Sequence, residues 1–324
     1  MEYVRLGRSG LKVSRLALGC MTFGSSDWAP WVLGFDDSAK ILRQAVDLGI
    51  NFFDTADMYS LGKSEEIIGK VLLDLVPRHK LVIATKVYNQ MSGDPNDRGL
   101  SRKHILEAVD GSLKRLGTDY IDLYQLHRFD YETPLEETLD ALNDVVRAGK
   151  VRYLGASSMH AWQFMKGLGM QRQHGWAQFV SMQPHYNLIY REEEREMLPL
   201  CMNEGIGVVP WSPLARGRLA GRVEGETTRS QTDRTARALY DRTRATDDAV
   251  ISSLKAVAER HGRPMAQIAY AWIASRAAVA APIVGISRSR QFEDAIKALE
   301  LSLTAGDVAE LEQNYLTKPV VGHA

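Results

Sequence analysis

Short apolar segments alternate with helical patterns along the whole chain. Most of these segments are apolar on successive residues, as expected for strands of a parallel sheet that is covered on both faces. The pattern predicts eight such strands, at residues 16–19, 50–54, 81–86, 120–127, 151–157, 179–183, 207–210 and 280–284.

The helices predicted between these strands have recognisable ends. Ser101 is typical of an N-cap, a residue whose side chain accepts a hydrogen bond from the first helical turn. Thr133, Pro134 and Glu136 predict a second helix start, with an N-cap, a proline at the first helical position and a capping-box carboxylate. Each predicted helix leads into the next strand.

Repeated strand and helix units, with no Pro/Gly/Ser-rich linker between them, indicate an α/β fold with one domain. We expect a single closed (β/α)₈ TIM barrel over residues 1–324, and an open doubly wound sheet is the structural alternative. Residues 3–13 predict an N-terminal hairpin, and residues 304–312 predict an extra C-terminal helix that begins with a Thr304/Asp307 cap. The long connection at residues 213–246 predicts a lid loop over a cofactor or a substrate.

Composition narrows the class of protein. The chain has 324 residues, 45% of them hydrophobic, with 40 basic and 40 acidic side chains. Balanced charge gives no general attraction to nucleic acid or to acidic membranes, so neither is an expected partner. Two cysteines, no signal-peptide pattern and no apolar run of about 18 residues lead us to expect a cytoplasmic protein.

Four chemically active residues fall at or just after the ends of three successive predicted strands. They are Asp54, Tyr59, Lys86 and His127. Active sites of (β/α)₈ barrels lie at the carboxyl ends of the strands, so these side chains are expected to share one rim. A phenol titrates near pH ~10, and it becomes a useful acid at neutral pH only if nearby charge or hydrogen bonds stabilise its anion. Lys86 is a candidate source of that charge, with Asp54 holding the ammonium and His127 bonding to a carbonyl oxygen.

Several motifs resemble one enzyme family over nearly the whole chain. Residues 53–59 (FDTADMY), 84–87 (ATKV) and 126–128 (LHR) resemble the signature of the aldo-keto reductases. The similarity continues at residues 155–158, 183–187, 211–217 and 282–285. Residues 157–160 and 190–196 most resemble a bacterial branch of general reductases that is sometimes linked to 1-deoxyxylulose 5-phosphate.

The resemblance implies hydride transfer from NADPH to an aldehyde or ketone, with Tyr59 protonating the oxygen. It implies a cofactor site without a Rossmann glycine motif, built from Gly19, Met21, Asp54, Ser157, Gln183, Trp211, Ser212, Pro213, Leu214, Arg216, Gly217, Arg218, Gly285, Ser287, Arg288, Gln291 and Asp294. Ser157 and Gln183 would bond to the nicotinamide amide, and Trp211 would stack on its ring. Arg288 would bind the adenosine 2′-phosphate, which predicts NADPH or NADP⁺ rather than NADH.

The substrate pocket is expected to come from loops after the first four strands. The candidates are Trp28, Trp31, Met58, Tyr88, His127, Arg128 and Phe129. An aromatic pocket favours bulky carbonyl compounds, whereas Arg128 is suited to a phosphate or a carboxylate.

Two other functions remain as alternatives. A metal-dependent hydrolase would need ligands at coordination spacing, and the eight histidines show no such cluster, so we expect no metal. A cofactor-sensing interaction subunit with slow turnover is the second alternative, because some relatives of this fold bind channel proteins. The physiological substrate, the favoured direction and the oligomeric state are open at this point.

Overall fold

The computed structural model describes residues 1–221 and 228–323. An N-terminal hairpin is formed by β1 (Tyr3–Arg5) and β2 (Lys12–Ser14). The remaining strands are β3 (Ala17–Gly19), β4 (Phe52–Asp54), β5 (Val82–Val87), β6 (Ile121–Leu126), β7 (Val151–Ser157), β8 (Phe179–Gln183), β9 (Gly207–Val208) and β10 (Ile283–Gly285). The predicted hairpin and the eight predicted parallel strands are confirmed.

The sheet is a closed (β/α)₈ barrel, as predicted. Its strand order is β10-β3-β4-β5-β6-β7-β8-β9, and each neighbouring pair is parallel. The two ends meet through hydrogen bonds from the Ala280 and Ile283 amides to the Val208 and Pro210 carbonyls, each 2.9 Å long. β9 is shorter than the predicted segment 207–210, and β10 begins later than the predicted segment 280–284. Both differences occur at a proline, Pro210 or Pro282, which has no amide hydrogen to donate to a neighbouring strand.

The helices surround the barrel. They are α1 (Phe35–Asp47), α2 (Lys63–Leu75), α3 (Arg102–Leu116), α4 (Leu135–Arg147), α5 (Ala161–His174), α6 (Met197–Glu204), α7 (Thr228–Thr232), α8 (Arg234–Tyr240), α9 (Arg244–His261), α10 (Met265–Ala274), α11 (Gln291–Ala298) and α12 (Ala305–Glu312). No helix in the described part of the chain is long and apolar enough to span a membrane.

Two of the predicted N-caps are present in the structure, and a third is not. The Ser101 side chain accepts from the His104 amide, and Thr304 forms a capping box with Asp307, as predicted. The predicted Thr133 N-cap is wrong, since α4 begins one residue later and Pro134 occupies the cap position. The Thr133 hydroxyl donates instead to Asp130 at 2.7 Å, so a local side-chain bond replaces the cap.

Two apolar clusters define the inside and outside of the barrel. The larger cluster packs between the strands and the helices. The smaller one fills the barrel interior, where Phe52 and Ala84 meet Leu6 and Val13 of the hairpin segment. The hairpin therefore seals the bottom of the barrel, and the carboxyl ends of the strands form the end that carries the candidate site.

The long connection after β9 contains structure of its own. Residues Ala215–Ala220 form a kinked 3₁₀ segment, followed after the undescribed stretch by α7 and α8. Part of the predicted lid, residues 222–227, lies outside the described residues.

Candidate active site

Lys86 stands at the centre of a buried polar cluster at the carboxyl ends of β4 and β5. Its Nζ lies 2.6 Å from Asp54 Oδ2, 2.7 Å from the Thr55 carbonyl oxygen and 3.3 Å from the Tyr59 hydroxyl. The register of parallel β4 and β5 places Asp54 opposite Ala84, two residues before Lys86. The predicted convergence of these side chains is therefore present in the structure.

The electrostatics of the cluster keep Lys86 charged. Burial alone would lower the pKa of Lys86, but Asp54 and Tyr59 beside the amine offset the burial and raise the pKa above its usual value. An ammonium group that is itself fully buried thus lies beside the Tyr59 oxygen at the wall of the site.

Asp54 is held by more than its ion pair. Its second oxygen, Oδ1, accepts hydrogen bonds from Gln125 Nε2 at 3.0 Å and from Gln183 Nε2 at 2.8 Å. The two glutamines are also bonded to each other at 3.2 Å. Both carboxylate oxygens are therefore occupied, which fixes the carboxylate against the Lys86 amine.

His127 completes the group from the next strand end. Its ring lies edge-on to that of Tyr59, with centroids 5.8 Å apart. Asn89 Nδ2 lies 3.0 Å from His127 Nδ1, and because an amide nitrogen can only donate, Nδ1 accepts and Nε2 carries the proton. Burial, and then the charges of Arg128 and Lys86, hold the pKa of His127 well below its usual range. The ring is therefore neutral and has one N–H to donate.

These residues border a cleft of about 570 Å³ at the top of the barrel. The structure brings most of the predicted residues to its wall: Gly19, Met21, Trp28, Trp31, Asp54, Met58, Tyr59, His127, Arg128, Ser157, Gln183, Trp211, Ser212, Pro213, Leu214, Arg216, Gly217, Gly285, Ser287, Arg288 and Gln291. Lys86 lies behind this wall, bonded to Tyr59.

Besides Lys86, four predicted residues do not line this cleft. Arg218 is paired with Asp247, and Asp294 accepts a hydrogen bond from Gln267 at 3.0 Å. Phe129 packs on other aromatic rings, and Tyr88 adopts a positive φ of 157° in its loop. The positions of these four side chains therefore give no support for a direct contact with a cofactor or a substrate.

The Trp211 ring is held by a stacked ring on one face and by a hydrogen bond at its edge. The His185 ring stacks on it with centroids 4.2 Å apart, and Trp211 Nε1 donates to the Ser158 hydroxyl at 3.0 Å. Ser157 Oγ donates to the Gln183 carbonyl at 2.8 Å. A rigid aromatic and polar wall therefore lies beside the Asp54 network.

The loop after β10 is organised by Gln291. Its Oε1 accepts from the Ser287 and Arg288 amides at 2.8 and 2.9 Å, which leaves the Arg288 side chain exposed on the cleft wall. Gln291 thus shapes the loop that presents Arg288.

Several residues of the site, on the cleft wall or directly behind it, were not predicted from the sequence. Asn89 and Gln125 bond directly to His127 and Asp54, and Thr228, Arg229 and Thr235 come from the lid connection. Gln125 had a signal, since it is a polar residue inside an otherwise apolar strand. The lid residues carry no comparable pattern. Their position depends on how the long connection folds back over the barrel.

The chain matches the profile of the aldo/keto reductase family over residues 15–315. It is 46% identical to the versiconal hemiacetal acetate reductase of Aspergillus parasiticus, over 99% of this chain and 98% of that protein. It is 44% identical to a putative aryl-alcohol dehydrogenase of Schizosaccharomyces pombe, over 99% and 97%, and 42% identical to an aldo-keto reductase of Metarhizium robertsii, over 100% and 94%. These relatives are fungal, so the expected link to a bacterial branch is unsupported.

Proposed function

Because the chain belongs to the aldo/keto reductase family, a family of oxidoreductases, we propose that it reduces an aldehyde or ketone with hydride from NADPH and that Tyr59 is the proton donor. The observation that carries this proposal is the 3.3 Å approach of the Lys86 ammonium to the Tyr59 hydroxyl, with Asp54 holding the ammonium in place. A fixed positive charge stabilises the phenolate that Tyr59 becomes when it gives up its proton.

Each member of the cluster has a defined part in the proposal. When bound, the nicotinamide cofactor supplies the hydride. The His127 Nε2–H donates a hydrogen bond to the carbonyl oxygen, where negative charge develops as the carbon is reduced. Tyr59 then transfers its proton to the same oxygen. Burial of Lys86 and Asp54 strengthens these electrostatic effects because water does not screen them.

The cleft has the chemistry that a dinucleotide phosphate requires. Arg216, Arg229 and Arg288 present guanidinium groups on its wall, and a guanidinium binds phosphate through paired hydrogen bonds. Trp211, Ser157 and Gln183 form the wall at the catalytic end, where the nicotinamide would bind. Arg288 and Ser287 would bind the 2′-phosphate, which favours NADPH over NADH.

A variant of Arg288 tests the cofactor assignment. Replacing Arg288 by Gln should lower the ratio of kcat/KM with NADPH to kcat/KM with NADH, roughly 10-fold or more. Arg290→Gln removes a neighbouring exposed charge and serves as the matched control. An unchanged ratio in Arg288→Gln would contradict the role given to this residue.

We propose that residues 213–246 act as a lid over the cofactor. Arg229 of α7 stacks over the Trp31 ring at 4.5 Å, which links the lid connection to the loop after β3. Arg216 and Arg229 also share Asp233, so the described part of the lid is tied together by charge.

Aromatic side chains on the cleft wall, with the name of one relative, a putative aryl-alcohol dehydrogenase, support an aromatic carbonyl compound as substrate. A panel of aldehydes, ketones, quinones and sugar phosphates, followed by loss of NADPH absorbance, tests the activity and covers 1-deoxyxylulose 5-phosphate. The proposal expects turnover of aromatic aldehydes. Tight NADPH binding with negligible turnover across the panel would contradict it and favour a cofactor sensor.

A further inference from the structure

Arg128 occupies an unusual position in the cleft. It follows His127 directly at the end of β6 and lines the same cleft as Tyr59 and His127. Its Nη1 donates to the His127 carbonyl oxygen at 2.6 Å. The guanidinium has five N–H donors, so this one bond leaves most of its donor capacity for a ligand.

The charge of Arg128 has no acidic partner within residues 1–221 and 228–323. Burial lowers the pKa of Arg128, and Arg216 nearby adds repulsion that lowers it further. The exposed Arg288 side chain is solvated, and three other charged groups on the cleft wall have partners of opposite sign. Arg216 and Arg229 pair with Asp233, and Asp54 pairs with Lys86.

A guanidinium in a partly desolvated position without a counterion is costly, because a charge removed from water needs a partner of opposite sign. A ligand that carries an anion would remove this cost on binding. The planar fork of arginine fits the two oxygens of a carboxylate or a phosphate.

The 2′-phosphate of the proposed cofactor is poorly placed to supply that anion. Arg288, the residue assigned to the 2′-phosphate, follows β10, whereas Arg128 follows β6. Three strands separate β6 from β10 in either direction around the closed barrel, so the two arginines belong to opposite sides of the rim. Arg128 lies at the end where His127 and Tyr59 meet the reacting carbonyl.

We propose that Arg128 binds an anionic group of the substrate, and that the preferred substrates are aromatic aldehydes or ketones bearing a carboxylate or a phosphate. This inference rests on the proposed reductase function. Trp28, Trp31 and Met58 on the cleft wall supply the apolar contact for the aromatic ring, and Arg128 supplies the contact for the acid.

The test compares pairs of substrates that differ in charge. One pair is 4-formylbenzoate and its methyl ester, and the other is 4-formylphenyl phosphate and 4-methoxybenzaldehyde. The readout is the ratio of kcat/KM for the acid to kcat/KM for the neutral partner, because replacing a residue beside His127 also affects the neutral reaction. Arg128→Gln should lower this ratio by about 10- to 100-fold, and Arg128→Lys should lower it less.

The pair with the larger loss identifies the anion as carboxylate or phosphate. Arg98→Gln is the matched control, since Arg98 pairs with Glu132 on the exposed surface, and the ratio should stay at the wild-type value. An unchanged ratio for both pairs in Arg128→Gln would overturn the inference.

Two further results keep the test decisive. If Arg128→Gln does not fold, the wild-type enzyme alone is measured at increasing salt, which should lower the ratio by screening the guanidinium. A ratio independent of salt would overturn the inference. Reduction of neutral aldehydes without any preference for acids contradicts this inference alone, whereas no reduction of any aldehyde contradicts the proposed function itself.

Discussion

Asn89 decides what the imidazole of His127 can do. The amide occupies Nδ1, so the neutral ring must present its hydrogen at Nε2. Because burial and two neighbouring cations keep the pKa of His127 low, this state should persist across the neutral range. The proposed site therefore uses His127 as a neutral donor rather than as an acid.

Replacing Asn89 by Asp should reverse the hydrogen-bond roles at His127. A carboxylate accepts the ring hydrogen at Nδ1, which leaves Nε2 of the neutral ring without a donor, and it also raises the pKa of His127. Reduction near pH 8 should fall on the order of 10- to 100-fold, and the activity should recover as pH decreases and the ring gains a second proton.

The measurement is the pH profile of kcat/KM for one neutral aldehyde between pH 5 and 9. In the wild type, protonation of His127 should cause no loss between pH 8 and 6, because its pKa lies well below the usual value. Asn96→Asp places the same charge at an exposed position of the same loop and should keep the wild-type profile. An Asn89→Asp profile identical to that of the wild type would refute the role of Asn89.

Among individual residues, the sequence predicted the position of those that lie at strand ends. Asp54, Lys86 and His127 lie at, or within one residue of, the ends of successive strands, so the barrel geometry alone brings them to one rim. Asn89 was not predicted, since the direction of its side chain depends on the path of the loop after β5. Gln125 was missed although its polarity inside an apolar strand indicated an inward partner.

At the scale of elements, α2 and α3 touch at a glycine. A Cβ atom added to Gly69 would lie 2.1 Å from the Leu116 carbonyl oxygen of α3. The α2–α3 contact therefore requires the absence of a side chain at this position. Gly169 in α5 is also within a helix, but a Cβ atom there would meet nothing within 4 Å.

Replacing each of these two glycines by alanine should change the free energy of unfolding in opposite directions. Gly69→Ala should lower the free energy of unfolding by about 1–3 kcal/mol, because the helices must move apart. Gly169→Ala should raise it by about 0.5–1 kcal/mol, since alanine favours the helix and no clash occurs. Thermal melting of both variants beside the wild type measures the difference. Two shifts of the same sign would contradict the packing described for α2 and α3.

Helix starts were predictable where one side chain and one amide decide them. Ser101 and Thr304 each cap the helix that follows. Thr133 had the same local pattern, yet Asp130 takes its hydroxyl. That competition depends on the loop between β6 and α4, which a cap motif does not describe.

At the scale of the whole molecule, the C-terminal segment ties the barrel rim to the lid side. The Lys318 amine is buried and bonds to Asp247 of α9, to the Ile189 carbonyl and to Thr243. Asp247 also pairs with Arg218, so the tail and the 3₁₀ segment of the lid connection share one carboxylate. The order of elements along the chain did not predict this link, because it joins residues far apart in sequence.

Replacing Lys318 by Met should destabilise the fold by about 1–3 kcal/mol. The loss stays below that of a fully uncompensated buried charge because Arg218 remains beside Asp247. Lys255→Met on the exposed face of α9 is the control and should leave the melting temperature close to the wild-type value. Equal melting temperatures for the Lys318 variant and the wild type would show that the tail contributes little.

The barrel as a whole was predictable because buried parallel strands have a simple apolar pattern that repeats along the chain. Its closure was predictable for the same reason, although the bounds of β9 and β10 were not, since two prolines interrupt the hydrogen bonding there. The cleft depends on loops, and loop paths follow from packing that one sequence does not specify.

The most direct test of the central claim is the rate of a single hydride transfer in Tyr59→Phe, measured with saturating NADPH and an aromatic aldehyde. The account predicts a loss of roughly 10²-fold or more, with NADPH binding unchanged, because the variant lacks the proton that Lys86 makes available. A wild-type rate in this variant would contradict the assignment of Tyr59 as the acid, whatever the substrate proves to be.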